Sequence, residues 1–199
     1  MQWLGRFKTP RAIRTRGAFH VYAAAERLAG APRTVVVPAP RLAGSQEAEA
    51  CLQRLAAAHA SVSGPGLAVL ADTGSHEGLP WVSFAADVML DGETAIDRLG
   101  RARVKVGYHE AMAVVEQLAH ALAAAHEASP AAVFGALSWA NVLITRTGAP
   151  VMMGLGHNVL AFDERGALSG APSVYLAPEV AAGMPASPGA DLYAFVQLQ

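Results

Sequence analysis

The chain has 199 residues, of which 53% are hydrophobic and 16% charged, and its net charge is −1. That length holds one large domain or two small lobes, and the apolar content supports a real core, which excludes wholesale disorder. The near-neutral balance leaves no bulk electrostatic case for nucleic acid or a membrane surface. The single cysteine, Cys51, excludes an internal disulfide and points to a reducing compartment. No run of about 18 uncharged apolar residues is present, so no membrane span is expected. The basic start lacks an apolar stretch, so no signal peptide is expected, and the expected location is cytoplasmic.

In chain order, Arg6, Lys8, Arg11, Arg14 and Arg16 precede the first acid, Glu26. Such a run reads as the solvent face of a first β-strand, with a small anionic-partner patch as the alternative. Thr15-Arg16-Gly17-Ala18-Phe19-His20-Val21-Tyr22 follows and fits a β-hairpin turn. Residues 33–39 (RTVVVPA) predict a short β-branched strand ended by Pro38. Residues 45–60 predict a helix, with Leu52 and Leu55 apolar and Glu47, Glu49 and Arg54 flanking. Cys51 within it reads as a buried, inert thiol. Strands are predicted at 67–71 and 79–85 around a turn at 73–78, with a connector at 87–92. A short helix at 93–99 precedes a long one at 108–128, where Met112, Val115, Leu118, Leu122 and Ala125 keep one face at helical spacing. His109, His120 and His126 lack the i, i+4 spacing of a helical metal site, and the other histidines are assigned to loops and strands. No metal is expected.

Residues 133–156 read VFGALSWANVLITRTGAPVMMGLG. A loop with a central Asn141 leads into an apolar run at 142–144, a turn at 145–148 and a second run at 151–153, which is a hairpin signal. Residues 160–173 are polar and Gly-rich, and Ser169 and Ser173 are ordinary there. Residues 174–180 read VYLAPEV, and 191–195 read DLYAF.

The segment 133–156 resembles the catalytic segment of protein kinases, H-R-D-L-x-x-x-N, then a hairpin, then D-F-G. On that pattern Leu137 and Asn141 match, while Phe134, Gly135 and Ala136 take the H-R-D places and Gly154, Leu155 and Gly156 the D-F-G places. The loop lysine two places after the catalytic Asp falls on Ser138. Residues 15–21 resemble the Gly-rich phosphate loop with only Gly17 kept, and His20 at the third glycine place narrows the phosphate cover. Residues 33–39 resemble the V-A-I-K strand with Pro38 at the lysine. Ala48 takes the place of the helix glutamate, and Glu47 and Glu49 read as solvent-facing. Ala177-Pro178-Glu179 is an intact A-P-E, and Asp191 matches the aspartate that holds the catalytic-loop backbone. The chain thus resembles bacterial serine/threonine protein kinases of the eukaryotic type, as a degenerate member.

The resemblance implies an α+β, two-lobed protein kinase-like fold. Residues 1–86 are the expected β-rich N-lobe, a sheet of five strands with one helix. Residues 87–199 are the expected helical C-lobe, ending inside its central helix with apolar surface at 192–198. Leu52, a residue near Leu70, Phe134 and Leu155 fill the places of the family's apolar stack, and Val21, Val36 and Leu143 those of the adenine sandwich. Any folded domain keeps such places apolar, so these residues alone do not separate a kinase core from another core.

Phosphoryl transfer needs cations on the phosphates, a carboxylate-held metal and a base. Pro38, Gly154, Ala136 and Ser138 supply none of these, and of the polar set only Asn141 remains. The expectation is therefore a pseudokinase that binds and regulates a protein partner in signalling, with neither nucleic acid nor membrane. No cofactor is expected, though weak ATP or adenosine binding among Gly17, Val21, Val36, Asn141 and Leu143 is allowed. Self-association through the incomplete C-lobe is the other expected contact. The rivals are an active serine/threonine kinase with displaced groups, such as Asp163 and Glu164, and a truncated remnant without function.

Overall fold

The computed structural model of the chain describes residues 3–4, 6–15, 17–129, 132–135, 137–156 and 175–198. Arg16, Ala136, Asp163, Glu164 and the predicted loop with Ser169 and Ser173 lie outside these.

The β-branched run around Val35 organises the first sheet. Strands Trp3–Leu4 (β1), Phe7–Arg14 (β2), Phe19–Glu26 (β3) and Pro32–Pro38 (β4) are followed, after a helix, by Leu70–His76 (β5) and Leu79–Phe84 (β6). They form an antiparallel sheet in the order β1-β2-β3-β4-β6-β5. The expected five strands gain a two-residue sixth, β1. Pro38 ends β4 beyond Thr34–Val36, the part paired to β6, so its missing N–H leaves no gap in that ladder. The expected turn at 73–78 shrinks to Glu77-Gly78, because β5 stays paired through His76. Leu67 belongs to no strand of this sheet and makes a parallel bridge to Met152.

Helix α1, Gln46–Ala60, starts at Ser45, whose hydroxyl accepts from the Ala48 amide at 3.3 Å. It buries Ala48, Leu52, Leu55, Ala56 and His59 at helical spacing against the sheet. Glu47 and Glu49 face solvent, as their first-turn positions favour. Cys51 is half-buried, not buried, and Arg54 donates to its sulfur at 2.9 Å.

The predicted connector at 87–92 contains a strand. Val88–Asp91 (β7) pairs with Val142–Thr145 (β8), which pairs with Pro150–Met152 (β9), a second sheet. Helices Gly92–Arg101 (α2) and Tyr108–Ala128 (α3) precede β8, and Pro178–Ala181 (α4) and Pro188–Val196 (α5) come last. The apolar face read along α3 holds only in its second half. Leu118, Leu122 and Ala125 are buried, but Met112 is exposed and Val115 half-buried.

One core lies between the first sheet and α1 and reaches Leu143 and Met153. A second joins α3, Phe134, Leu137, β8, β9, Leu155 and Ala194 of α5. A third covers the outer face of the first sheet, where Phe7 meets Trp81 edge to face at 5.0 Å. Leu192, Tyr193 and Val196 of α5 are exposed, whereas Leu198 is buried. Among the described residues, no helix is long and apolar enough to cross a membrane.

Candidate functional site

The site predicted from sequence lies where the first sheet, α1 and the 138–156 segment meet. Val21 and Val36 are direct cross-strand partners, and both join Leu143 in one core. The structure does bring the three together. It also closes them off, at 0%, 0% and 1% exposure. Burying such a side chain contributes about 1.5–3 kcal/mol, so this wall stabilises the fold whether or not a ligand binds.

The loop before β3 explains the closure. Gly17 turns the chain at φ 88, and Ala18 and Phe19 fold into the same core as Val21. Strand alternation sends His20 to the opposite face, where its Nδ1 meets the Tyr22 hydroxyl at 3.3 Å. The expectation that His20 narrows the phosphate cover is therefore corrected, since Phe19 is the residue turned inward. Burial raises the pKa of Tyr22, which keeps its hydroxyl protonated. Pro38 pairs with Phe19 across the strands and brings no charge to this place.

Arg14 also departs from the sequence reading. It is buried, and its Nη1 donates to the Ala140 carbonyl at 3.1 Å, from β2 to the 138–141 turn. Arg11 donates to the Val88 and Met89 carbonyls at 3.0 and 2.9 Å, and Arg6 pairs with Glu26 and Asp72. Arg6 and Arg11 are exposed, as the solvent-face reading expects, but both also bond within the chain, and Arg14 is the one of the described cations here that is buried. Within-chain partners were invisible to charge counting.

Asn141 is fully buried, and its side chain is engaged by the fold itself. Oδ1 accepts from the Ser138 amide at 3.0 Å and its hydroxyl at 3.3 Å, and Nδ2 donates to the Met153 carbonyl at 3.1 Å. Ser138 caps the short turn, its hydroxyl accepting from the Ala140 amide. The two side chains pin the 138–141 turn to the strand end at Met153, a structural use of the loop-lysine and asparagine places.

Gly154 has φ 117 and Gly156 φ 85, conformations that side-chain-bearing residues rarely adopt. A Cβ on Gly156 would lie 2.6 Å from Ala58 Cβ and 3.0 Å from the Arg54 carbonyl on α1. The glycines let this strand end lie against the helix. Gly154→Asp, which restores the carboxylate by sequence, is accordingly expected to lower stability by about 1–2 kcal/mol in urea denaturation, without creating magnesium-dependent stabilisation.

His59, which sequence reading left among loop histidines, sits on α1 and faces this strand end. Its Nδ1 donates to the Ala68 carbonyl at 2.8 Å, and Nε2 accepts from the Gly154 and Leu155 amides at 3.1 and 3.2 Å. The ring stands edge to face on Phe84 at 4.9 Å. Two amide donors on Nε2 require the neutral tautomer with hydrogen on Nδ1. Burial holds its pKa down at about 4. Its spacing from Leu52, Leu55 and Ala56 on the apolar face of α1 was the signal for burial.

Asp191, fully buried on α5, accepts from the Phe134 and Gly135 amides, both at 2.8 Å, as expected. His126 Nε2 lies 3.1 Å from its Oδ2, a partner that the spacing of the histidines on α3 did not reveal. Asp91, also buried, caps α2 through Oδ1, which accepts from the Thr94 amide at 2.7 Å. Among the described residues, no group of three or more His, Cys, Asp or Glu is placed to hold a metal.

No family model matches the chain, and no curated protein matches it. Solved structures do. The kinase domain of PknI from Mycobacterium tuberculosis is 22% identical with a TM-score of 0.69, over 96% of this chain and 69% of that one. A double mutant of that domain is 22% identical with a TM-score of 0.70, over 96% and 72%. A further structure of it is 21% identical with a TM-score of 0.68, over 97% and 71%. At such identity the likeness concerns the fold alone, and the chain has the α+β protein kinase-like fold, with a curled antiparallel sheet carrying one helix beside a mainly helical part.

Proposed function

We propose that this kinase-fold chain is a pseudokinase, which transfers no phosphate and acts in the cytoplasm as a binding or regulatory module for a protein partner in signalling. The observation that carries the reading is the burial, in one core, of the residues at the adenine-sandwich places. Val21, Val36 and Leu143 are sealed into the same core as Phe19, and Arg14 bridges the two sides to Ala140. The charge inventory supports it. Pro38 and Gly154 stand where a triphosphate would need a cation and a metal-holding carboxylate, and unpaired buried charge is costly. Asn141 has its amide engaged by Ser138 and Met153. With no base, metal carboxylate or lysine, the terms that supply most of the rate are missing.

The test is a thermal-shift titration with ATP, with and without magnesium, beside a radiolabel transfer assay. The expected result is no magnesium-dependent shift and no transfer above a protein-free control. A magnesium-dependent rise of several degrees at sub-millimolar ATP, or transfer above that control, would favour an active kinase instead.

A further inference from the structure

The net charge of −1 conceals a local concentration of the opposite sign. From Arg98 to His109 the chain carries Arg98, Arg101, Arg103 and Lys105 and no acid. Every residue from Gly100 to Ala113 is exposed, although the segment includes the first turns of α3. Val104, Val106, Tyr108 and Met112 are 53%, 47%, 74% and 44% exposed. Single exposed apolar residues are ordinary, but four within nine residues form a patch that calls for a partner. The nearest acids are already engaged: Asp97 pairs with Arg101, and the Glu110 carboxylate accepts from the Gly107 amide at 3.0 Å. Arg98, Arg103 and Lys105 make no side-chain hydrogen bond or ion pair among the described residues.

The backbone adds a second observation. Helix α2 closes with Arg103 N donating to Gly100 O at 3.1 Å and Val104 N to Leu99 O at 3.0 Å, and Arg103 has φ 52. This is a Schellman closure, whose left-handed residue is usually glycine. Here it is an arginine, with no side-chain hydrogen bond or ion pair among the described residues to offset the cost of that conformation.

We propose that residues 98–112 dock the domain on an anionic lipid surface. Arg98, Arg103 and Lys105 meet the headgroups, while Val104, Val106, Tyr108 and Met112 enter the interfacial layer. Uncovered aliphatic side chains among cations favour this occupant over a nucleic acid, whose phosphates reward the cations alone. Each cation near an anionic leaflet strengthens partition by about fivefold. The inference stands apart from the pseudokinase reading, because neither the cleft nor its chemistry enters it.

The test is co-sedimentation with vesicles of phosphatidylcholine alone and with about one-third phosphatidylglycerol, at low salt and at about 0.5 M. Binding is expected only to the anionic vesicles and is expected to weaken at high salt. The double variant Val104→Ser/Val106→Ser is expected to bind them at least severalfold more weakly with an unchanged melting temperature. Arg103→Gly separates docking from folding, since it is expected to weaken binding about fivefold while raising the melting temperature. Equal partition to both vesicle types, no sedimentation with either, or Arg103→Gly binding at full strength would overturn the proposal. So would a serine variant that binds vesicles as tightly as the parent, and in that case retention on a DNA duplex or polyglutamate would assign the patch to a soluble polyanion.

Discussion

Lowering the pH from 6.5 to about 4 is expected to remove about 3 kcal/mol of stability through His59 alone. The ring is neutral in the fold because Nε2 must accept two amide hydrogens and the site is dry. In the unfolded chain the same imidazole takes a proton near pH 6.5. Between that value and about 4 the unfolded state binds the extra proton and the native state does not. The contribution is therefore complete above about 6.5 and declines as the pH falls towards the native value. Urea denaturation across this window, beside His59→Leu, measures it. The variant is expected to lose roughly 3 kcal/mol at neutral pH, because the Ala68 carbonyl and the Gly154 and Leu155 amides lose their partner. Its stability is also expected to vary less with pH, so that the two curves converge towards pH 4. Parallel curves would show that His59 is not the titrating group.

Asp191→Ala is expected to cost roughly 3–5 kcal/mol. The carboxylate is fully buried and receives the Phe134 and Gly135 amides and the His126 ring. Removing it leaves two backbone donors in a dry core, beside a histidine without its acceptor. Asp191→Asn keeps one acceptor oxygen and is expected to cost about half as much. Gly135 sits at φ 78, a conformation that glycine adopts freely, so the cost falls on the lost hydrogen bonds and not on backbone strain. Equal stability of the aspartate and alanine forms in urea would show that the loop is held by other contacts.

Much of this was legible in the residues. Leu137, Asn141, Ala177-Pro178-Glu179 and Asp191 pointed to the fold, and of these Asn141 and Asp191 hold backbone groups while Leu137 fills the core. Val21, Val36 and Leu143, named from the resemblance, do share one core, as apolar residues on strands do with or without a ligand. What was missed lies in pairings across long sequence separation. His59 and Leu155 are 96 residues apart, and Arg14 and Ala140 are 126 apart. Charge counting assigned the buried Arg14 to solvent, because it cannot see a distant carbonyl. The predicted connector contains β7, because the apolar run Val88-Met89-Leu90 finds an open edge on β8. The extended apolar face of α3 failed for a different reason: periodicity reports that a face exists, not that anything covers it.

Strand β7 has one more consequence. The passage between the two sheets is itself part of the second sheet, and its Val88 and Met89 carbonyls are gripped by Arg11 from the first. Ala68 and Met152 exchange a further contact, the Ala68 amide donating to the Met152 carbonyl at 2.9 Å. In an articulated two-lobed protein such a passage serves as a pivot, and the halves breathe independently. Here it works as a clasp. The two parts are therefore expected to open as one cooperative unit, with the amides of Ala68, Met152 and Leu155 exchanging hydrogen at the rate of global unfolding; faster exchange at Met152 than at Val35 would show that they open separately.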